Sequence, residues 1–386
     1  MADEPWEILV GDCREVLRTL PRQSVQTCVT SPPYFGLRDY GTGEWEGGDA
    51  ACDHKGGARQ SAVSTLVGNG HGGDKPLSPY LQGQTKPMGS VCTKCGASRV
   101  DRQIGLEPTP DEFVEALVEV FREVRRVLRD DGTVWLNLGD SYNSGGRTSQ
   151  VAPGGVVGQP GMRATPQRPP VIQGVKQKDL VGIPWIVAFA LRADGWYLRS
   201  DIVWHKPNPM PESVTDRPTR SHEFIFLLSK RPRYYYDADA IREQDSGRGS
   251  GNGFVRDHRL TYQDADGGRG NTEQWTPGGG RNKRDVWTVA SKPYSGAHFA
   301  TFPPDLIEPC VLAGAPVDGV VLDPFNGAGT TGMVAVRNRR RYIGVELNPD
   351  YAQMARDRIE TDVRLGGRPP VQGSVLDGQS SLFDAL

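Results

Sequence analysis

Apolar positions along the chain alternate between two rhythms. Short, nearly continuous runs rich in Val, Ile and Leu occupy Trp6 to Val10, Val25 to Thr30, Thr133 to Leu138, Trp196 to Trp204, Glu223 to Leu228, Gly319 to Leu322 and Arg341 to Glu346. Their length and β-branched content predict strands. Between them lie stretches with helical spacing: 14–20, 110–128, 180–191, 305–313, 331–337 and 350–360. The stretch from Pro110 shows the spacing best, with Phe113, Val114, Leu117, Val120, Phe121, Val124 and Leu128 on one face and Thr109 placed to cap it. Asp131-Gly132 predicts a turn into the following strand, and Pro32-Pro33 must end the strand before it, since proline cannot continue a central strand. Alternating strands and helices with apolar strands predict an α/β fold on a mostly parallel sheet.

Three stretches break the rhythm: 41–103, polar and Gly-rich; 144–178, rich in Gly, Pro and Gln; and 245–282, a Gly/Arg/Asp stretch. They hold much of an unusual Gly and Pro content, 48 and 30 of 386 residues. Loops this long inside a compact domain are functional or disordered. The formal net charge of −2 argues at first against a nucleic-acid partner. It averages unlike segments: residues 1–143 carry 15 basic and 21 acidic side chains, 144–233 carry 13 and 6, and 234–386 carry 17 and 20. A basic middle block therefore sits between acidic flanks, as a solvated face or as a surface for polyanions. The longest apolar run, Ile183 to Leu191, falls short of a membrane span, and the acidic N-terminus lacks a signal-peptide core. Six Cys are too few for a disulfide scaffold. The expectation is a soluble cytoplasmic protein.

Two short motifs carry chemistry. Asp323-Pro324-Phe325-Asn326-Gly327-Ala328-Gly329-Thr330-Thr331 follows a strand and opens a helix, where glycines let a ligand approach backbone N–H groups. Glu346 ends the next strand, placed to accept hydrogen bonds from ribose hydroxyls. Ser31-Pro32-Pro33-Tyr34 follows another strand. There Ser31 Oγ and the Pro32 carbonyl can accept both hydrogens of an exocyclic amine, and Tyr34 offers a flat face to a base taken out of its stack.

Together the motifs resemble the S-adenosylmethionine-dependent DNA amino-methyltransferases, whose signature pairs D-P-F-x-G-x-G-T-T with [DNS]-P-P-[YFW]. Here the catalytic tetrapeptide comes first and the cofactor turn near the C-terminus, the permuted order of the β group. The resemblance implies a Rossmann-like methyltransferase fold with loop-rich insertions, S-adenosylmethionine as cofactor, double-stranded DNA as partner and a prokaryotic or phage origin, with a cognate restriction endonuclease as a partner the sequence leaves invisible. It implies Ser31, Pro32, Pro33 and Tyr34 as catalytic residues. For the cofactor it implies Asp12, His298, Phe299, Pro303, Asp323, Phe325, Asn326, Gly327, Gly329, Thr330, Glu346 and Asn348. Trp204, Lys206, Asn208, Arg217 and Arg220 become candidates for the target-base pocket or DNA. Ser rather than Asp at position 31 favours N4 of cytosine over N6 of adenine; methylation of RNA or of a protein glutamine shares the chemistry and remains an alternative.

The same reading divides the chain into 1–40 with the catalytic motif, an insertion at 41–105, further catalytic domain at 106–232 interrupted by 144–178, a target-recognition region at 233–287, the cofactor-binding part at 288–362 and a tail at 363–386. Tyr234-Tyr235-Tyr236 and Arg281 to Arg284 supply the aromatic and basic side chains expected of that recognition region. Geometrically, the strand ending at Asp323 would be central, with the strand of Glu346 and then Trp6 to Val10 on one side and the strand ending at Ser31 on the other. Within the insertion, Cys52-x-His54 and Cys92-x-x-Cys95 make a candidate structural zinc set. Cys310 reads as a packing residue, since amine methylation needs no cysteine nucleophile.

Overall fold

A computed structural model describes residues 5–36, 43–54, 91–143, 172, 174–243, 281–291 and 301–365. In chain order the elements are β1 (Trp6–Val10), α1 (Cys13–Thr19), β2 (Val25–Thr30), β3 (Glu44–Glu46), β4 (Ser98–Val100), α2 (Pro110–Val127), β5 (Leu128–Leu138), α3 (Ile183–Ala193), β6 (Tyr197–His205), β7 (His222–Ser229), β8 (Val286–Thr288), α4 (Pro304–Gly314), β9 (Val320–Asp323), α5 (Thr330–Arg337), β10 (Arg341–Glu346) and α6 (Pro349–Arg364). Eight strands form one sheet in the order β1-β10-β9-β2-β5-β7-β6-β8, and β3 and β4 make a separate hairpin.

The sheet is parallel from β1 to β5; β7 runs antiparallel to both of its neighbours. Residues before 31 and after 319 therefore interleave as expected, because β1 pairs with β10 from Trp6↔Tyr342 to Val10↔Glu346, while β2 meets β9 at Thr27↔Val321 and Cys28↔Leu322. Every residue of β2 and β9 is buried, as required of central strands covered on both faces. One apolar layer packs α1, α2 and α3 on one face through Leu17, Phe113, Phe121, Val187 and Leu191. The other packs α4, α5 and α6 through Leu306, Val311, Val334 and Ile359. Burying these two layers is what holds the helices on the sheet.

Local chemistry explains most boundaries. Thr109 Oγ1 accepts the Glu112 N–H at 3.2 Å and Pro110 opens α2, while Asn348 caps α6 in the same way. Asp131-Gly132 is not a turn before β5. That strand begins at Leu128, directly after α2, and Val25↔Leu128 is followed by Thr27↔Thr133, so 129–132 form a bulge. The bulge persists because its carbonyls are used elsewhere: Asp131 O accepts from Tyr235 N at 2.8 Å and Gly132 O from Lys230 N at 3.2 Å. β8 joins the main sheet beside β6, so the described end of 233–287 is part of the core architecture. Most of 144–178, 245–282 and 363–386 lies outside the described residues. Among the described residues no helix is long and apolar enough to cross a membrane.

Candidate active site

Strand order reverses between β9 and β2, so Asp323 and Thr30 end adjacent strands at the point where open α/β sheets bind ligands. The two motifs are bonded to each other there. Thr30 Oγ1 donates to Asp323 Oδ1 at 2.6 Å, Thr331 Oγ1 to Asp323 Oδ2 at 2.7 Å, and Phe325 N to Oδ1 at 3.0 Å. Asp323 is 2% exposed; burial pushes its carboxyl up to about 6, against the pull of these donors. The carboxylate expected among the cofactor ligands instead faces inward and fastens the Asp323–Thr331 turn to the strand that precedes Ser31.

Other residues of the turn are likewise turned inward. Buried Asn326 accepts the Tyr342 hydroxyl at 2.7 Å and donates to Gly327 O at 3.0 Å, and Thr330 Oγ1 accepts from Arg358 at 2.8 Å. Gly329 has φ +71°, and a Cβ on it would sit 2.8 Å from Ala355 Cβ, so the turn packs tightly on α6. Gly327 differs: at φ +51° a Cβ would meet nothing nearer than Phe325 O at 3.9 Å, so its surroundings are open. Its N–H donates to Glu346 Oε2 at 2.7 Å, and Asn348 N donates to Oε1 at 3.0 Å. Burial raises the Glu346 carboxyl to about 7 despite those donors. Asp12 ends the neighbouring edge strand, where Gly11 N donates to Glu346 O at 2.9 Å. Burial opposes its charge, but Arg14, bonded to its carboxylate at 2.9 Å, holds its pKa below the usual value. Half-buried Phe325, open Gly327, Glu346, Asn348 and Asp12 therefore line a continuous strip along three strand ends. An open glycine turn at a helix start beside two carboxylates fits a nucleoside-bearing cofactor. Pro303 is buried at the start of α4, and His298 and Phe299 lie outside the described residues.

At the end of β2, Ser31 Oγ has no hydrogen-bond partner among the described residues, and Pro32 is buried. The Tyr34 hydroxyl donates to Glu223 Oε2 at 2.7 Å and approaches Asn137 Oδ1 at 3.2 Å. Its ring lies against Gly139, where a Cβ would come within 2.5 Å of Tyr34 Cε2. Lys206 forms an ion pair with Glu223 and lies 4.1 Å from the centre of the Trp204 ring. So Lys206 reaches the site through Glu223 and Tyr34. Asn137, Gly139 and Glu223 were not legible as site residues; only Asn137, a polar residue inside an apolar strand, carried a signal.

The remaining candidates for DNA contact are engaged within the fold. Trp204 is 4% exposed and donates Nε1–H to Val289 O at 2.8 Å, making it a core residue. It shares a face of β6 with buried Ile202. Asn208 exchanges two hydrogen bonds with the Ser291 backbone, at 3.1 and 3.0 Å. Arg217 pairs with Glu212 at 2.5 Å and lies over the Tyr142 ring, and Arg220 faces Asp140 at 3.6 Å. Tyr236 stacks on buried Trp135, and Arg281 and Arg284 both pair with Glu243. Trp204 is thus packed in the core, while Asn208, Tyr236, Arg281 and Arg284 remain exposed at the surface alongside these contacts. Cys310 is buried in α4, where burial pushes its thiol well above the usual value. In the insertion, Cys52, His54, Cys92 and Cys95 do come together, all four ligand atoms within 4.8 Å of one another.

A DNA methylase family profile matches residues 25–357. The chain is 42% identical over 350 residues to the type II methyltransferase M.Cfr9I of Citrobacter freundii, covering 91% of this chain and 86% of that protein. It is 40% identical to M.SmaI of Serratia marcescens, covering 92% and 90%. Its fold is shared with the PvuII DNA methyltransferase (cytosine-N4-specific), at a TM-score of 0.51 and 16% identity over 96% of this chain and 97% of that one. The bonded pair of turns at the sheet's switch point thus has a chemical meaning: the chain belongs to the DNA methylases, as an S-adenosylmethionine-dependent DNA amino-methyltransferase.

Proposed function

We propose that the protein methylates the exocyclic amine of a base flipped out of double-stranded DNA, with N4 of cytosine as its target. The observation that carries this is the Thr30–Asp323 link, which sets Ser31 beside the cofactor turn. Bound S-adenosylmethionine supplies an electrophilic methyl group and a thioether leaving group. Gly327, Glu346, Asn348 and Asp12 would hold it, with the two carboxylates on ribose and adenine.

An aromatic amine is a weak nucleophile because its lone pair is delocalised into the ring. Ser31 Oγ and the Pro32 carbonyl, by accepting its hydrogens, draw the nitrogen toward tetrahedral geometry and localise that pair; the proton the nitrogen must shed once it carries the methyl group would leave along one of these hydrogen bonds to solvent. Tyr34 stacks on the extruded base, its hydroxyl anchored by Glu223 and Asn137 while Lys206 balances the Glu223 charge. Catalysis then rests on positioning and electrostatics, with no covalent enzyme intermediate. Ser31 favours cytosine N4 over adenine N6. Relatives that are type II methyltransferases support a modification role beside a cognate restriction endonuclease.

The test is methyl transfer from labelled cofactor to unmethylated DNA and, in parallel, to RNA and protein, with identification of the methylated nucleoside or residue after digestion. N4-methylcytosine is expected, and Ser31→Ala should lower its rate about 10²-fold, the scale of losing one placed polar group. N6-methyladenine would reassign the base. Label only in RNA or protein glutamine would overturn the DNA reading.

A further inference from the structure

Among its described residues the β3–β4 lobe has little apolar core of its own. Of the described residues in 43–54 and 91–102 only Cys92 and Ala97 are buried. The pairing consists of three residues on each strand, a length that is marginal in water without added support. Small units of this kind need a disulfide or a metal.

Four ligand side chains converge at the base of this hairpin. Cys92 and Cys95 flank a tight knuckle in which Gly96 N donates to Cys92 O at 2.9 Å with Gly96 at φ +77°. Cys52 and His54 come from the preceding segment. Cys52 Sγ lies 3.8 Å from Cys92 Sγ, and Cys95 Sγ lies 3.4 Å from His54 Nδ1. Zinc bonds of about 2.3 Å to sulfur and 2.0–2.1 Å to nitrogen, at tetrahedral angles, place two sulfurs about 3.8 Å apart and a sulfur and nitrogen about 3.6 Å apart. Both separations are near these values. The supports are equally specific: the His54 ring stacks on Trp45, with centroids 5.2 Å apart, and His54 takes φ +25°, a conformation unusual for a residue with a side chain. Gly48 lies so near that a Cβ would be 2.7 Å from Cys95 Sγ.

The lobe's exit strand leads directly to the active site. Arg102 O accepts from Arg14, the partner of Asp12, at 2.9 Å. Gly105 O accepts the Gly36 N–H at 2.9 Å, and at φ +103° a Cβ on Gly105 would lie 3.2 Å from Pro33 Cβ.

We propose that Cys52, His54, Cys92 and Cys95 bind one structural zinc ion, and that the lobe it fastens braces the Pro33–Gly36 loop through Gly105. All four ligand positions are filled by protein, so the ion has no open site for water activation.

Metal analysis of the full-length protein, expressed with zinc in the medium, should return one zinc per chain. Cys95→Ser should lose it and Cys310→Ala should keep it. Cobalt replacing zinc in the wild-type chain should give the charge-transfer and visible bands of a tetrahedral thiolate site, a readout independent of variant folding and of methylation. Removing zinc with a chelator should lower kcat at least tenfold while the circular dichroism of the main sheet persists, and zinc should restore it. Absence of both zinc and the cobalt spectrum, or a Cys52–Cys92 disulfide found by mass spectrometry, would overturn the metal site. A stoichiometric zinc whose removal leaves kcat unchanged would overturn the brace.

Discussion

The bond between Thr30 and Asp323 invites a single-atom perturbation. Thr30→Val keeps the side chain's shape and removes the hydroxyl that donates to Asp323 at 2.6 Å. Both residues are buried, so no water replaces the donor. A hydrogen bond to a buried charged group contributes about 1.5–3 kcal/mol, so a loss of ~2 kcal/mol is expected. For a chain of this size that lowers Tm by roughly 2–3 °C. The effect must depend on pH. In the folded state Asp323 titrates at about 6, above the ordinary 3.8, so folding retains a proton between those values that the unfolded chain has released. Stability from this group is therefore greatest below about pH 4 and declines as pH rises through 6. Removing a donor to the carboxylate raises the folded pKa further, so the variant's deficit should be full near pH 8 and shrink toward pH 5. Thermal unfolding at both pH values measures this. Methyl-transfer kinetics should show lower kcat, by up to ~10² for a displacement near 1 Å at Ser31, with DNA affinity unchanged. A Tm within about 1 °C of wild type near pH 8, or an equal loss at both pH values, would refute the charged link.

Three further outcomes follow from other contacts. Gly139→Ala places a Cβ in the space of the Tyr34 ring, which Glu223 and Asn137 prevent from moving freely; methyl transfer should fall more than about tenfold with a Tm change under ~3 °C, read by kinetics and calorimetry. Trp204→Phe should lower Tm by several degrees through the lost Val289 bond and lost volume, and leave DNA affinity per folded molecule unchanged in a filter-binding assay; weakened DNA binding at unchanged Tm would reverse its assignment to the core. Cofactor affinity, measured by calorimetry, should weaken as pH falls below 7, since the raised Glu346 carboxyl then gains a proton and ceases to accept ribose hydroxyls at both oxygens; Glu346→Gln should flatten that dependence.

Much of the fold was legible because its strands and helices are written in local patterns. Val25 to Thr30 and Arg341 to Glu346 match their strands residue for residue. Permutation did not obscure the sheet, since strand order follows from which apolar strand ends must meet. The bulge at 129–132 was not legible: Asp-Gly favours a turn locally, and the partners that hold it in the strand, Lys230 and Tyr235, are about 100 residues away. The alternation of Trp204 with Ile202 is a core signal, and the structure buries both side chains on one face of β6. Glu223 carries no local mark at all. It became part of the site only because β7 lies beside β5 and β6.

By itself, the sequence determined the alternating α/β class and the two chemical turns with their order along the chain, since each is read from residues close together; it offered Cys52-x-His54 and Cys92-x-x-Cys95 only as two separate pairs, which the fold brings within 4.8 Å. Tertiary structure alone decided which polar residues of those motifs face a ligand and which face the core. Thr30 and Asp323 are 293 positions apart and share one hydrogen bond, and that bond, with the burial around it, turns Asp323 from a ligand-facing carboxylate into the pin between two motifs. A side chain's identity is local, while its solvent and its partners are set by whatever strand or helix the fold brings beside it.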